Sequence, residues 1–117
     1  MHTRCMVTPV GDLQQLQQRI ADVRNDRGFT TDPLRLLSLL TEEVGEVAGE
    51  LKKTWSKNYE ELQVSELGDE LADVFVLVTA IATSFEIDLE DAVEQKFFNA
   101  DSKRSWATSV SDDASGR

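Results

Sequence analysis

The segment from Glu66 to Val78 reads ELGDELADVFVLV and joins an acidic half to an apolar half. Its last five residues are rich in β-branched side chains, which taken alone favour a β-strand. The same residues, however, continue an apolar stripe that starts at Leu67 with helical spacing, and no turn signal interrupts it. The segment therefore predicts the core of a long helix that covers residues 59 or 60 to about 83.

Apolar spacing predicts three further helices. Two precede the acidic segment, over residues 12–26 and 33–55, with Gly28 as the break between them and Pro33 suited to the first turn of the second. A fourth helix is predicted from the cap at Asp88 to about 103 or 104. The fold class is all-α, a four- to five-helix bundle with short connections.

The apolar end of the long helix, residues 74–78, carries apolar side chains on nearly every face. A helix that is apolar all round must be buried all round. In a chain of 117 residues, we expect a second copy to supply part of that burial, so the sequence predicts a homodimer or homotetramer. We expect one domain over residues 1–106. Residues 107–117, which are poor in apolar side chains, are predicted to form a disordered tail.

The composition narrows the range of partners. The chain has 22 acidic and 12 basic residues, for a formal net charge of −10. This excess of acid disfavours nucleic acid, because phosphate backbones are bound by basic surfaces. The longest uncharged stretch, residues 74–85, is too short to span a bilayer. We therefore expect no membrane partner and a cytoplasmic location.

The single histidine and the single cysteine exclude several chemistries. His2 lies at the end of the chain, where side chains are poorly held, so a mechanism that needs a fixed imidazole is disfavoured. Cys5 alone cannot form an intramolecular disulfide or a thiolate metal cluster.

Carboxylates are concentrated on the second and third predicted helices. Residues three and four apart are neighbours on a helix, so these acids form continuous ridges. Like charges at this spacing repel by roughly 0.2–0.5 kcal/mol per pair, and residues 36–51 and 58–95 contain no Lys or Arg to compensate them. The acids are Glu42, Glu43, Glu46 and Glu50 on one helix, and Glu66, Asp69, Glu70 and Asp73 on the next.

Such an oxygen-only donor set suits a hard cation. Mg²⁺, or Mn²⁺ as a substitute, prefers carboxylate and water ligands and needs neither His nor Cys. The alternative is a solvated acidic face, which is the usual role of a charge run. Against that alternative, acidic pairs occur on consecutive helices, and Asp73 leads directly into the most apolar stretch, where an unpaired carboxylate is costly. A divalent cation that serves a phosphate substrate is the interpretation we favour.

The two acidic motifs resemble those of the MazG-like members of the all-α nucleoside triphosphate pyrophosphatases. The pattern is E-E-x-x-E, here residues 42–46, followed on the next helix by E-x-x-D, here residues 70–73. The resemblance extends from about residue 13 to residue 104. It implies Mg²⁺-dependent hydrolysis of a nucleoside triphosphate, a canonical or modified dNTP, to the monophosphate and pyrophosphate, as in house-cleaning enzymes.

The resemblance also implies residue roles. By position, the metal ligands are Glu43, Glu46, Glu70 and Asp73. Glu42 is implied as an outer-shell ligand or a base that orients water, which makes Glu42, Glu43 and Glu46 the catalytic group. Asn99 is implied as a nucleotide contact. The remaining candidate substrate contacts are Trp55, and more weakly Phe29, for stacking on a base, and Lys57, Lys96 and Lys103 for phosphate oxygens.

Two other functions are compatible with the same residues. One is a biosynthetic pyrophosphohydrolase of the phosphoribosyl-ATP type, which the E-E-V-G-E form of the first motif fits less well. The other is a helical interaction module without enzymatic activity, whose acidic face binds a basic partner.

Overall fold

The computed structural model describes residues 11–105, and within that range the chain is all-helical, with four helices and no strand. The predicted all-α class is confirmed. The predicted tail, His2 and Cys5 lie outside the described residues. The helices are α1 (Asp12–Asp26), α2 (Pro33–Lys52), α3 (Val64–Ser84) and α4 (Leu89–Val93), and α4 continues as a π-helical segment over Glu94–Ala100.

N-cap hydrogen bonds between residues close in the chain fix where α2 and α4 begin. The carboxylate of Asp32 accepts a hydrogen bond of 3.0 Å from the backbone N–H of Arg35, and Pro33 occupies the first helical position, where no N–H is needed. At the start of α4, the carboxylate of Asp88 accepts from the backbone N–H groups of Glu90 and Asp91. Both starts agree with the sequence prediction.

The connection between α2 and α3 is longer than predicted. Helix α2 ends at Lys52 instead of residue 55, and α3 begins at Val64 instead of residue 59 or 60. The ammonium of Lys52 lies 4.4 Å from the centroid of the Tyr59 ring, and this cation–π contact holds Tyr59 beside the end of α2. Tyr59 is therefore part of the connection and not of the first turn of α3.

The last helix also departs from the prediction. It is α-helical only over Leu89–Val93, and the following seven residues form π-helical turns instead of continuing an α-helix to 103 or 104. In this segment the rings of Phe97 and Phe98 meet edge to face at 5.2 Å, and both are exposed.

Helix α3 packs against both α1 and α2, and α4 packs against α1. The polar side chain of Gln17 joins α1 to the turn between α3 and α4. Its Nε2 donates to the carbonyl of Ile87 at 2.8 Å and to Oγ1 of Thr83 at 3.2 Å, while its Oε1 accepts from the N–H of Leu89 at 3.0 Å. Gln17 is only 8% exposed, so these bonds satisfy an amide that would otherwise be costly to bury. We refer to these four residues as the Gln17 junction.

Much of the apolar surface of α2 and α3 stays open to solvent in the single chain. Among the described residues, the buried hydrophobic side chains are Leu36, Leu77 and Ala82, whereas Leu37 and Leu71 are 52% and 50% exposed. The expected burial of α3 on all sides is therefore not reached within one chain. A second copy remains a prediction. No helix within residues 11–105 combines the length and apolar character that crossing a membrane requires.

Candidate metal centre

Helices α2 and α3 bring three of the four predicted ligands together. Glu43 and Glu46 are one helical turn apart on α2, so they share a face, and the packing of α3 on α2 places Glu70 opposite them. One carboxylate oxygen from each of these residues lies within 4.8 Å of the other two. We call these three side chains the carboxylate cluster.

Two oxygens of the carboxylate cluster are buried without a partner. Glu43 Oε1 and Glu70 Oε1 are inaccessible to solvent and receive no hydrogen bond within the described part of the chain. Buried polar atoms in proteins are almost always hydrogen-bonded, because burying an unpaired one is costly. Two such oxygens, from two residues of one cluster, are groups that a cation bound among these carboxylates would satisfy.

Crowding of the carboxylates changes their proton affinity. The pKa of Glu70 is raised to about 7, first by its hydrogen bond to Glu46, then by burial and by the negative charges of Glu46, Glu43 and Asp73. The pKa of Glu43 is also raised, mainly by burial and then by the neighbouring charges. In the absence of a cation, protonation of Glu70 near neutral pH would relieve part of this repulsion.

Asp73 and Glu42 flank the cluster. Asp73 follows Glu70 by three residues on α3 and stands outside the group of three close oxygens, but its charge raises the pKa of both Glu43 and Glu70. Glu42 is exposed on α2, and its charge contributes to the raised pKa of Glu43. The structure thus places all five predicted acidic site residues in one electrostatic neighbourhood.

One end of the acidic ridges is compensated, which corrects the expectation of ridges without a local cation. Lys53 Nζ lies 3.1 Å from Glu50 Oε1 and 3.8 Å from Glu66 Oε1, and so joins the end of α2 to the first turn of α3. Lys53 lies just beyond residues 36–51, the part of α2 that contains no Lys or Arg. Only the pairing of the two helices brings it to Glu66. No ion pair to the carboxylate cluster itself occurs among residues 11–105.

A cavity of about 450 Å³ adjoins the cluster. Glu43 and Asp73 form one side of it, and the end of α1 with the α1–α2 loop forms the other, through Arg24, Arg27 and Phe29. From the sequence, Phe29 is only a weaker candidate for stacking, and neither Arg24 nor Arg27 is a candidate. The relevant signal is Gly28, which ends α1 and turns the loop back toward α2 and α3.

The other predicted substrate contacts lie away from this cavity. Trp55 is 74% exposed on the turn after α2, and the ammonium of Lys96 is engaged by Asp101 Oδ2 at 2.7 Å. The single chain brings none of the five to the cavity wall, so their roles stay predictions. The five residues are Trp55, Lys57, Lys96, Asn99 and Lys103.

These observations define an all-helical protein with a carboxylate cluster suited to a divalent cation. Over residues 31–99, the chain matches the family described as the MazG nucleotide pyrophosphohydrolase domain. This match covers more than half of the chain and includes all of α2 and α3, so the chain belongs to that family. The family consists of hydrolases that act on nucleotides and generally use divalent metals. No curated protein and no solved structure matches the chain.

Proposed function

We propose that this protein hydrolyses nucleoside triphosphates, canonical or modified dNTPs, to the monophosphate and pyrophosphate in a Mg²⁺-dependent reaction of the house-cleaning type. The observation that carries the proposal is the carboxylate cluster, with its two buried oxygens that lack a hydrogen-bond partner, inside the region that matches the family.

The donor atoms of the cluster support Mg²⁺, with Mn²⁺ as a substitute. All are carboxylate oxygens, the ligand type these cations prefer over nitrogen or sulfur. We assign Glu43, Glu46, Glu70 and Asp73 as the ligands. When bound, the cation would neutralise phosphate charge, lower the pKa of water and stabilise the leaving pyrophosphate.

The remaining carboxylate has a separate role. We assign Glu42 as the base that orients the attacking water or as an outer-shell ligand. Its position four residues before Glu46 on α2 puts it beside the proposed ligands, while its exposure leaves its oxygens open to water. A carboxylate in this position can accept the proton that water loses as it attacks the α-phosphorus.

The cavity beside the cluster is the proposed place for the nucleotide. The ring of Phe29 offers a flat face on which a base can stack. Arg27 lines the same cavity, and no ion pair or hydrogen bond of its side chain occurs among residues 11–105, so its guanidinium is open to a phosphate oxygen.

Oligomerisation is part of the proposal. The exposed apolar side chains of α2 and α3, such as Leu37 and Leu71, support a homodimer or homotetramer. In such an assembly, we propose that a second copy brings some of the five remote substrate candidates to the site. We further propose that one domain over residues 1–106 acts on free nucleotides in the cytoplasm, without a nucleic-acid or membrane partner.

A product assay tests the reaction. Pure protein is incubated with a panel of NTPs, dNTPs and phosphoribosyl-ATP with Mg²⁺, and the nucleotide products are resolved. Release of monophosphate and pyrophosphate, lost in Glu46→Gln and Asp73→Asn and kept in the exposed control Glu61→Gln, would support the proposal. Diphosphate with orthophosphate would contradict it.

The same panel separates the other candidate functions. Turnover of phosphoribosyl-ATP alone would identify the biosynthetic type of enzyme. Absence of turnover for every triphosphate, together with absence of stabilisation by Mg²⁺ in a thermal melt, would favour an acidic interaction module.

A further inference from the structure

Helix α1 ends in a turn that fixes the direction of the following loop. Gly28 has a φ of 73°, and its N–H donates to the carbonyl of Asn25 at 3.1 Å. The next N–H, that of Phe29, reaches back to the carbonyl of Arg24 at 3.0 Å. These two bonds form the Schellman motif, in which the residue after the glycine meets the residue one turn inside the helix. Phe29 is thereby brought next to Arg24.

The side chain of Arg24 holds this loop at two points. Its Nη2 donates to the carbonyl of Thr30 at 2.9 Å. Its guanidinium carbon also lies 5.1 Å from the centroid of the Phe29 ring, within the range of a cation–π contact. One partly buried guanidinium therefore fixes both the ring and the main chain of the loop. Among the described residues Arg24 forms no ion pair, so no carboxylate competes for it.

The loop held in this way is a wall of the proposed nucleotide cavity. Arg24 and Phe29 line the cavity that reaches Glu43 and Asp73, and they also line the two neighbouring cavities along α1. The position of Phe29 sets the width of the opening opposite the carboxylates. Arg24 itself lies on α1, outside the carboxylate cluster.

We propose that Arg24 is a positioning residue for nucleotide binding: it holds Phe29 and the Thr30 carbonyl in place, and so determines how tightly the cavity grips the substrate. The inference rests on the proposed function. Because Phe29 would contact the base and not the phosphate that reacts, its contacts are the same in the bound substrate and in the transition state. Loss of such uniform binding raises KM and leaves kcat nearly unchanged.

Steady-state kinetics of variants test this role at saturating Mg²⁺, on the triphosphate that the wild type hydrolyses best. Arg24→Met keeps the length of the side chain and removes its charge and its donors. We expect KM to rise on the order of 10-fold with kcat within about 2-fold. Arg24→Lys, which keeps the cation, should restore part of the loss. Arg35→Met, an exposed arginine of α2, is the matched control and should leave both constants unchanged.

A double-mutant cycle shows whether Arg24 acts through Phe29. If it does, Arg24→Met combined with Phe29→Ala should raise KM little more than the larger single change. Fully additive effects, or a fall in kcat with KM unchanged, would overturn the inference.

Two measurements do not depend on turnover. Amide hydrogen exchange of the metal-free protein should accelerate at Phe29 and Asp32 in Arg24→Met, while the amides of α3 stay unchanged. Exchange rates at Phe29 and Asp32 that are the same in the variant and the wild type would overturn the inference.

Calorimetry with an α,β-methylene triphosphate and Mg²⁺ gives Kd directly, and we expect weaker binding, a higher Kd, in Arg24→Met. A wild type that binds the analogue and cleaves no triphosphate overturns the proposed function alone. Equal Kd values in wild type and variant overturn the role of Arg24, and a wild type that does not bind overturns both.

Discussion

Gln17 and Glu70 both place polar side-chain atoms inside the protein, but only Gln17 finds hydrogen-bond partners for all of them. Its amide forms three hydrogen bonds that join α1 to the α3–α4 turn. Glu70 instead leaves Oε1 buried without a partner and has its pKa raised to about 7. The Gln17 junction is thus complete as it stands, whereas the carboxylate cluster is held together against its own repulsion. Such a cluster is expected where a ligand supplies the missing partner.

The largest expected effect separates activity from stability at the carboxylate cluster. Glu43→Gln removes one ligand charge and should lower kcat/KM by more than about 100-fold, since even groups that only support a metal ligand contribute about 10–100-fold. The same change removes repulsion, so the metal-free protein should melt at an equal or higher temperature. Activity assays and thermal melts in EDTA check the two parts.

Glu61→Gln, an exposed carboxylate of the α2–α3 connection, is the control for this pair of measurements, and neither quantity should change in it. If Glu43→Gln lowered the melting temperature in EDTA, the cluster would be stabilising in its own right, and the contrast with the Gln17 junction would be wrong.

The reverse is expected at the Gln17 junction, where a substitution should lower stability and leave activity unchanged. Gln17→Leu leaves the carbonyl of Ile87 and the N–H of Leu89, both partly buried, without partners. The cost is about 1–3 kcal/mol for each fully buried unsatisfied group and less where water has partial access, so the free energy of unfolding should fall by roughly 2–4 kcal/mol in urea titrations. The kcat of the folded fraction should stay at the wild-type value, and a loss of kcat as large as that of Glu43→Gln would contradict a purely structural role.

The sequence predicted the parts of this molecule that depend on neighbours along the chain. Helical period alone put Glu43 beside Glu46, and local capping identified the starts at Pro33 and after Asp88. The α2 part of the acidic cluster therefore follows from helical period, whereas the full ligand set is implied only by the family resemblance. Helical period also predicted that Glu70 and Asp73 share a face of α3, although the pairing of helices was needed to bring them to α2.

Contacts between distant segments were not predictable in this way. Gln17 meets partners more than 60 residues later in the chain, and its glutamine in an amphipathic helix gives no sign of them. Lys53 reaches Glu66 only because α2 and α3 pair. The π-helical geometry after Val93 has no signature in apolar spacing, since Leu89, Val93 and Phe97 recur at the four-residue interval of an ordinary α-helix.

The pH dependence of stability should also distinguish the carboxylate cluster from the Gln17 junction. A carboxyl whose pKa is raised on folding keeps its proton in the folded state after the unfolded state has lost it. Glu70 rises from 4.5 to about 7, so in that window the folded state binds more protons, and stability falls as pH rises. Below about pH 4.5 both states hold the proton, and the stabilisation is fully present. Denaturant titrations in EDTA between about pH 5 and pH 8 measure the slope.

Mg²⁺ should reverse this trend, because a cation needs the deprotonated carboxylates and displaces the proton. Its stabilising effect is therefore expected to grow with pH over the same window. In Glu70→Gln the slope in EDTA should flatten, whereas in Gln17→Leu it should persist on a lower baseline. Stability in EDTA that increased with pH across the window would contradict a protonated Glu70 in the folded protein.

The smallest expected effect concerns the backbone at the Gln17 junction. Helix α3 ends with the same pair of hydrogen bonds as α1: the N–H of Glu86 donates to the Thr83 carbonyl at 3.0 Å, and that of Ile87 donates to the Ala82 carbonyl at 2.8 Å. Here, however, the residue with positive φ is a glutamate, at 57°, where a Cβ costs roughly 1 kcal/mol. Glu86→Gly should therefore raise the free energy of unfolding by up to about 1 kcal/mol, less the added chain entropy of glycine. Gly28→Ala, at the matching position of α1, should lower the free energy of unfolding by about as much.

If urea titrations gave both changes the same sign, backbone conformation would not be the determining term, and the side chain of Glu86 would have to contribute to the junction. Opposite signs would show that the junction satisfies its polar atoms while Glu86, the residue before Ile87, stays strained, whereas the cost at the carboxylate cluster is electrostatic.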